Sequence, residues 1–214
     1  MRVVIAGGHG QIARQLEKVL ADRGDEPVGI VRNPDHVPDL EQAGAEAVVL
    51  DLEKTDVAQV ADVVKGADAV VFAAGGGPNS GAARKETVDK GAAVLLADAA
   101  EQAGVRRYVM VSSMGTENAD PDSDDVFQVY LRAKKAADDD LAARDLDWTI
   151  VRPGRLTDEP ATGRVQVGTL PRGQVTRADV AAVLAAVIDT GSTVHKTFDL
   201  LGGHQTIDAA LTGL

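Results

Sequence analysis

Tyr130 and Lys134 stand four residues apart in the run Tyr130-Leu131-Arg132-Ala133-Lys134, within a stretch patterned as a helix. Side chains at that spacing share one helix face, so a phenol and an ammonium are brought together. A phenol titrates near ~10 by itself and exchanges protons poorly at neutral pH, whereas an adjacent cation stabilises the phenolate. Upstream, Ser112-Ser113 close a short apolar run from Tyr108 to Val111 that reads as a strand. A hydroxyl at that strand end can hold a substrate carbonyl beside Tyr130, which makes the set a proton relay for an oxygen that gains charge during reaction.

A relay of this kind needs a partner reagent, and the N-terminus points to one. Gly7-Gly8-His9-Gly10-Gln11-Ile12-Ala13 follows the apolar run Val3-Val4-Ile5-Ala6 and precedes a helix-patterned stretch, Ile12 to Arg23. Strand, glycine loop and helix in that order form a dinucleotide-phosphate loop. Gly7 permits the tight turn, Gly10 lets backbone approach a pyrophosphate, and Ala13 keeps helix and strand close. Free N–H groups at the helix start, with His9, Gln11 and Ile12 around them, then face the anion.

Strand and helix patterns alternate along the chain, which predicts a parallel sheet with right-handed crossovers. Strands are expected at Arg2 to Ala6, Pro27 to Val31, Ala47 to Leu50, Ala69 to Ala73, Tyr108 to Val111 and Trp148 to Val151. Between them come helices ending at Gly24, around Asp39 to Ala43, over Asp56 to Val64, a long one ending at Ala103, and Val126 to about Arg144. The glycine-rich loop Gly75 to Gly81 follows strand four, and an acidic loop spans Asp120 to Asp125. In the last third, Arg164 to Val167 alternates like a short exposed strand, Thr176 and Asp179 form a capping box for a helix Arg177 to Asp189, and Thr197 to Leu201 reads as a final strand. The expected architecture is one doubly wound α/β Rossmann domain over residues 1–214, with helices on both faces. Residues from about 154 form a small substrate-side segment.

Composition narrows the function. With 3% aromatics the core must be built from Ala, Val, Leu and Ile, and a net charge of -11 argues against nucleic acid and anionic membrane as partners. There is no cysteine, hence no disulfide framework or thiolate chemistry. His9, His36, His195 and His204 lack metal-ligand spacing, so no metal is expected. With neither a leader pattern nor a spanning apolar run, the expectation is a soluble cytoplasmic protein, monomer or homodimer, acting on a small molecule.

Strand two ends Gly29-Ile30-Val31-Arg32-Asn33-Pro34. An acidic residue at that end would hold the ribose hydroxyls of NAD, whereas Arg32 accommodates a 2′-phosphate, so NADP(H) is expected, with Arg14 as a second contact. Asp51-Leu52 can frame the adenine, and Asp51 serves equally as a loop starter.

These residues together resemble the short-chain dehydrogenase/reductases, more narrowly the atypical, extended-like NAD(P)H-binding branch with NmrA-like and epimerase-like members. The motifs are Gly7-x-x-Gly10-x-x-Ala13, Val31-Arg32-Asn33-Pro34, Asp51-Leu52, Ala73-Ala74-Gly75, Val111-Ser112-Ser113, Tyr130-x-x-x-Lys134 and Trp148 to Gly154. The resemblance implies a catalytic set of Ser113, Tyr130 and Lys134, with Lys134 also on the nicotinamide ribose and Pro153-Gly154 against the carboxamide. It departs at Thr87-Val88-Asp89-Lys90, where the family's ordinary enzymes carry an Asn. Asp89 accepts but does not donate, which puts the usual water relay in doubt.

The reading is an NADP(H)-dependent oxidoreductase for a small carbonyl or hydroxyl compound. Its alternatives are a nucleotide-sugar epimerase or dehydratase, for which 60 residues after Gly154 leave little room, and a non-catalytic NADP(H) sensor.

Overall fold

Alternation along the first strand sorts its side chains between two cores. Val3 and Ile5 join one apolar cluster, Val4 and Ala6 the other, and all four are fully buried. That is the signature of a strand covered on both faces. The computed structural model describes residues 1–77 and 80–214; Pro78 and Asn79 of the expected glycine-rich loop lie outside the described residues.

In chain order the elements are β1 (Arg2–Ala6), α1 (Gln11–Asp22), β2 (Glu26–Val31), α2 (Val37–Gln42), β3 (Glu46–Val49), α3 (Val57–Val64), β4 (Ala69–Phe72) and the helical turn α4 (Ala82–Arg84). They continue with α5 (Ala93–Ala103), β5 (Arg107–Val111), α6 (Val126–Ala142), β6 (Asp147–Pro153), β7 (Arg155–Thr157), β8 (Arg164–Gly168), β9 (Gln174–Thr176), α7 (Arg177–Asp189), β10 (Lys196–Gly202), β11 (Gln205–Thr206) and α8 (Ile207–Thr212). The main sheet runs β11-β8-β10-β6-β5-β4-β1-β2-β3, while β7 and β9 make a separate parallel pair. From β3 to β10 every pairing is parallel, and β8 and β11 add an antiparallel edge. This is a Rossmann-like α/β fold: α1 and α7 cover one face, α3, α5 and α6 the other.

Strand order reverses between β1 and β4, and a crevice opens above their C-terminal ends. Register carries that edge across the sheet, because Ala6 pairs with Phe72, Phe72 with Met110, and Val111 with Val151. Gly7, Ala73, Ser112 and Arg152 therefore emerge along one rim.

Three expectations are corrected. The helix ending at Ala103 is not uniformly α-helical: Lys85–Ala92 winds as π-helix and turns Lys85 and Asp89 inward. Arg164 to Val167 is a strand but lies inside the sheet between β10 and β11, with Val165 fully buried. Thr176 caps α7 by accepting from the Asp179 N–H at 2.9 Å, but the Asp179 carboxylate does not return the bond. It accepts instead from Thr162 N and Gly163 N, at 3.0 and 2.8 Å, and so pins the loop before β8.

Candidate active site

Gly7 adopts φ +85°, and a Cβ there would lie 2.6 Å from the Ala74 backbone, so only glycine lets the first loop close against the end of β4. Gly10 stands at the start of α1 without any side-chain cap. The first-turn amides of Gln11, Ile12 and Ala13 have no intrahelical acceptor and present an anion site. Above them lies a cleft of about 270 Å³ whose walls include Gly7, His9, Gly10, Arg32, Asp51, Leu52 and Ala73-Ala74-Gly75. A glycine cradle beside an uncapped helix start fits a dinucleotide.

Arg14 and Ile12 are placed otherwise than expected. The Arg14 guanidinium sits 3.6 Å from Asp39, outside the cleft wall, and Ile12 packs its side chain on the core. His9 stacks on His36 with ring centroids 3.5 Å apart and bonds Asp39 at 2.7 Å. Asp51 lines the cleft and accepts from Glu53 N at 3.1 Å, which opens a turn.

Sequence reasoning missed His36, Glu53 and Arg84 in this wall. Glu53 lies 3.6 Å from Arg32 and accepts from Arg84 at 3.0 Å and from the Thr87 hydroxyl at 2.7 Å. The Thr87 bond, helped by Arg84, holds its carboxyl below the usual range. No spacing links these residues; topology alone gathers them. Also missed was Glu17, which is fully buried beneath the glycine loop. A Cβ on Gly8 or Gly29 would come within 2.9 or 2.5 Å of its Oε1. The absence of side chains at both glycines makes room for that carboxyl.

Farther along the rim a cavity of about 1190 Å³ is walled by Ser113, Tyr130, Pro153 and Gly154, with Met114, Phe127 and Phe198 among its apolar residues and Arg155 and Arg172 among its cations. Gly154 also has a packing reason, since a Cβ there would lie 2.4 Å from Leu201 and 2.6 Å from the Gly173 carbonyl.

The expected cation–phenol pair is not what the side chains make. Lys134 is buried, donates to the carbonyls of Val111 at 3.0 Å and Ala74 at 3.4 Å, and pairs with Asp89 at 3.6 Å. Asp89 has no exposed surface; its Oδ2 accepts from Gly76 N at 3.0 Å. Asp89 thus anchors the loop after β4 and pairs with Lys134. The Tyr130 phenol moves opposite to expectation. Burial pushes it up to about 12, and the Asp89 and Asp138 carboxylates add to the rise while the Ser113 hydroxyl opposes it.

Two more charged groups surround this set. Lys85, brought in by the π-helical turns, donates to the Gly77 carbonyl at 2.6 Å and lies 5.4 Å from the Tyr130 ring centroid. Asp138, four residues beyond Lys134, accepts from Ser112 Oγ at 2.9 Å and from Arg152 at 2.9 and 3.0 Å. Its helical spacing was a usable signal for Asp138; nothing local marked Lys85. Among the described residues no group of three or more His, Asp or Glu is gathered to hold a metal, and no helix is long and apolar enough to cross a membrane.

A family model described as NAD(P)H-binding matches residues 7–191. A Bacillus subtilis protein named as an uncharacterised sugar epimerase is 37% identical over 216 residues, covering 100% of both chains. Among solved structures, a Bacillus halodurans protein described as an NAD-dependent epimerase/dehydratase matches with a TM-score of 0.92 at 40% identity, again over 100% of both chains. An oxidoreductase of Lactococcus lactis matches with a TM-score of 0.89 at 29% identity, covering 100% of this chain and 96% of that one. With a glycine cradle on an uncapped helix, a cleft at the strand-order reversal and these relatives over its whole length, the chain belongs to the NAD(P)H-binding family, in the reductase-like and epimerase-like branch of the atypical short-chain dehydrogenase/reductases.

Proposed function

We propose that this protein is an NADP(H)-dependent oxidoreductase acting on a carbonyl or hydroxyl compound. The observation that carries the reading is Ser113 and Tyr130 on one cavity wall with Pro153 and Gly154, on the same rim of the sheet as the dinucleotide cleft. When bound, a reduced nicotinamide supplies a hydride. The chain's own residues must then hold the carbonyl, deliver a proton and keep the site in register. Ser113 Oγ orients the oxygen, Tyr130 Oη protonates it as charge develops, and Lys134 with Asp89 fixes the loop after β4 against strand β5.

Arg32 supports the phosphorylated dinucleotide. It lines the cleft, its side chain is 55% exposed, and its contact with Glu53 at 3.6 Å is loose enough to yield to a 2′-phosphate. The aromatic and aliphatic walls of the larger cavity, with Arg155 and Arg172 at hand, suit a substrate with an apolar body and an acidic group. Calorimetry with NADPH and NADH, followed by a panel of such carbonyl compounds, tests the reading. Tighter binding of NADPH and consumption of it with one of the compounds support it; NADH bound at least as tightly overturns the NADP(H) assignment.

An epimerase reading is favoured by the names of the Bacillus relatives. It requires Tyr130 to remove a proton from a hydroxyl before it returns one.

A further inference from the structure

We propose that Arg84 joins Arg32 in holding the 2′-phosphate of NADP(H), and that Glu53, the carboxylate on which both arginines converge, competes with that phosphate. Arg84 thereby widens, and Glu53 narrows, the preference for the phosphorylated dinucleotide. The inference rests on the NADP(H) reading and names the residues that set how strong that preference is. Glu53 Oε2 accepts from Arg84 Nη2 at 3.0 Å and from its Nε at 3.1 Å, and Arg32 Nη1 lies 3.6 Å from the same oxygen. Two guanidiniums gathered on one oxygen atom stand close enough for a single phosphate to bridge them. All three residues line the dinucleotide cleft, whereas Arg14 faces Asp39 outside its wall.

The three side chains come from separate parts of the sheet edge. Arg32 follows β2, Glu53 follows β3, and Arg84 lies in the helical turn α4 after β4, with β1 and β2 standing between β4 and β3 in the sheet. The contact between Glu53 and Arg84 therefore spans the crevice rather than bracing neighbours on one wall. Glu53 is held at its other oxygen as well, where Oε1 accepts from the Thr87 hydroxyl at 2.7 Å. Asp51, an acid in the same wall, is paired with Lys54 at 3.2 Å, so Glu53 is the carboxylate that meets both arginines.

A 2′-phosphate carries roughly two negative charges at neutral pH and needs the same N–H donors that Glu53 accepts from. It can draw Arg32 away, because that contact is long, but Glu53 stays beside it, tied to Thr87. The phosphate thus gains two guanidiniums and meets one fixed like charge, whereas the neutral 2′-hydroxyl of NADH gains little from the first and loses little to the second. Side-chain exposures of 55% for Arg32, 31% for Arg84 and 23% for Glu53 let solvent damp each effect to a modest fold-change. Charge fixes the sign of each. Glu53→Gln keeps the side-chain length and an oxygen for the Thr87 hydroxyl to donate to, and removes only the charge.

Calorimetry with NADPH and NADH on the wild type, Arg84→Ala and Glu53→Gln tests this without any substrate. Arg84→Ala should weaken NADPH about tenfold and NADH less than about twofold, and Glu53→Gln should tighten NADPH about threefold with NADH again nearly unchanged. NADH is thus the control for each variant's fold and for the rest of the cleft. An Arg84→Ala protein that loses both dinucleotides to the same extent, or that keeps its full NADPH affinity, overturns the role given to Arg84. A Glu53→Gln protein that binds NADPH more weakly makes Glu53 a support for the arginines instead of a competitor and overturns the inference, as does one that binds NADPH like the wild type. The NADP(H) reading fails on a different number. Wild type binding NADH at least as tightly as NADPH overturns that reading, while the change in the ratio from wild type to variant still decides the roles of Arg84 and Glu53.

Discussion

Glu17 allows a quantitative forecast. It lies on the buried stripe of α1 with Ala13, Leu16 and Leu20, and neither carboxyl oxygen has a hydrogen-bond partner among the described residues. Burial pushes its pKa up to about 8, with Arg14 pulling back only in part. In the unfolded chain a glutamate titrates near ~4.3. Between roughly pH 4.5 and 8 the native state therefore holds a proton that the unfolded state has lost, and stability falls by about 1.4 kcal/mol for each unit that pH rises. Across the window the loss is about 5 kcal/mol, a large share of a typical domain's stability. Above pH 8 both states are ionised and the effect saturates.

Glu17→Gln keeps the shape, removes the titration and relieves the glycine loop of a buried charge at high pH. Its unfolding free energy relative to wild type should rise by about 1.4 kcal/mol per unit between pH 5 and 8, then level off. Urea denaturation of both proteins at several pH values measures this, and taking the difference cancels every titration the two share. A difference that stays flat from pH 5 to 8 would refute the reasoning, because it would mean that Glu17 ionises in the native state as easily as in water.

Other expectations concern the cofactor and the relay. Arg32→Asp should weaken NADPH far more than NADH in calorimetry, since it removes the guanidinium at the β2 end and adds a repelling charge; equal losses would place the 2′-phosphate elsewhere. Gly10→Val should abolish the NADPH-induced rise in melting temperature, because its side chain would occupy the space above the uncapped helix start, where a Cβ already meets the Gly7 carbonyl at 3.1 Å. A full shift in that variant would move the cofactor out of the loop. Tyr130→Phe should leave NADPH affinity nearly unchanged while lowering turnover on the order of 10²-fold, as loss of a positioned acid does, and turnover at the wild-type rate would pass the role to another group.

The parallel core was legible because its signals are local and repeated. Apart from the edge strand β3, each β-branched run from Arg2 to Val151 alternates into two covered faces, and the crossover helices end near a glycine or a short turn. The last sixty residues were less so, since β7, β9, β11 and α8 span two to six residues each, the strands held by pairing and α8 by packing on the core rather than by their own periodicity. Glu17 was missed for a different reason. Its position on the apolar stripe of α1 was visible, but the space for a carboxyl came from Gly8 and Gly29, on a loop and on a neighbouring strand.

Lys134 shows where spacing stops being informative. One helix face carries Tyr130 four residues before it and Asp138 four residues after it, so periodicity alone leaves the ammonium with two candidate neighbours. A third, Asp89, arrives from Lys85–Ala92, where π-helical winding rotates the side chains relative to an α-helix. A full carboxylate charge 3.6 Å away inside the protein outcompetes a neutral phenol for the same cation, because charge–charge attraction in a poorly screened interior exceeds what a phenol dipole offers. The family-like spacing of Tyr130 and Lys134 therefore puts the two on one helix face without fixing what the ammonium binds. A helix-register change at Lys85–Ala92 would take Asp89 away from Lys134 even if Ser113, Tyr130 and Lys134 were all left in place.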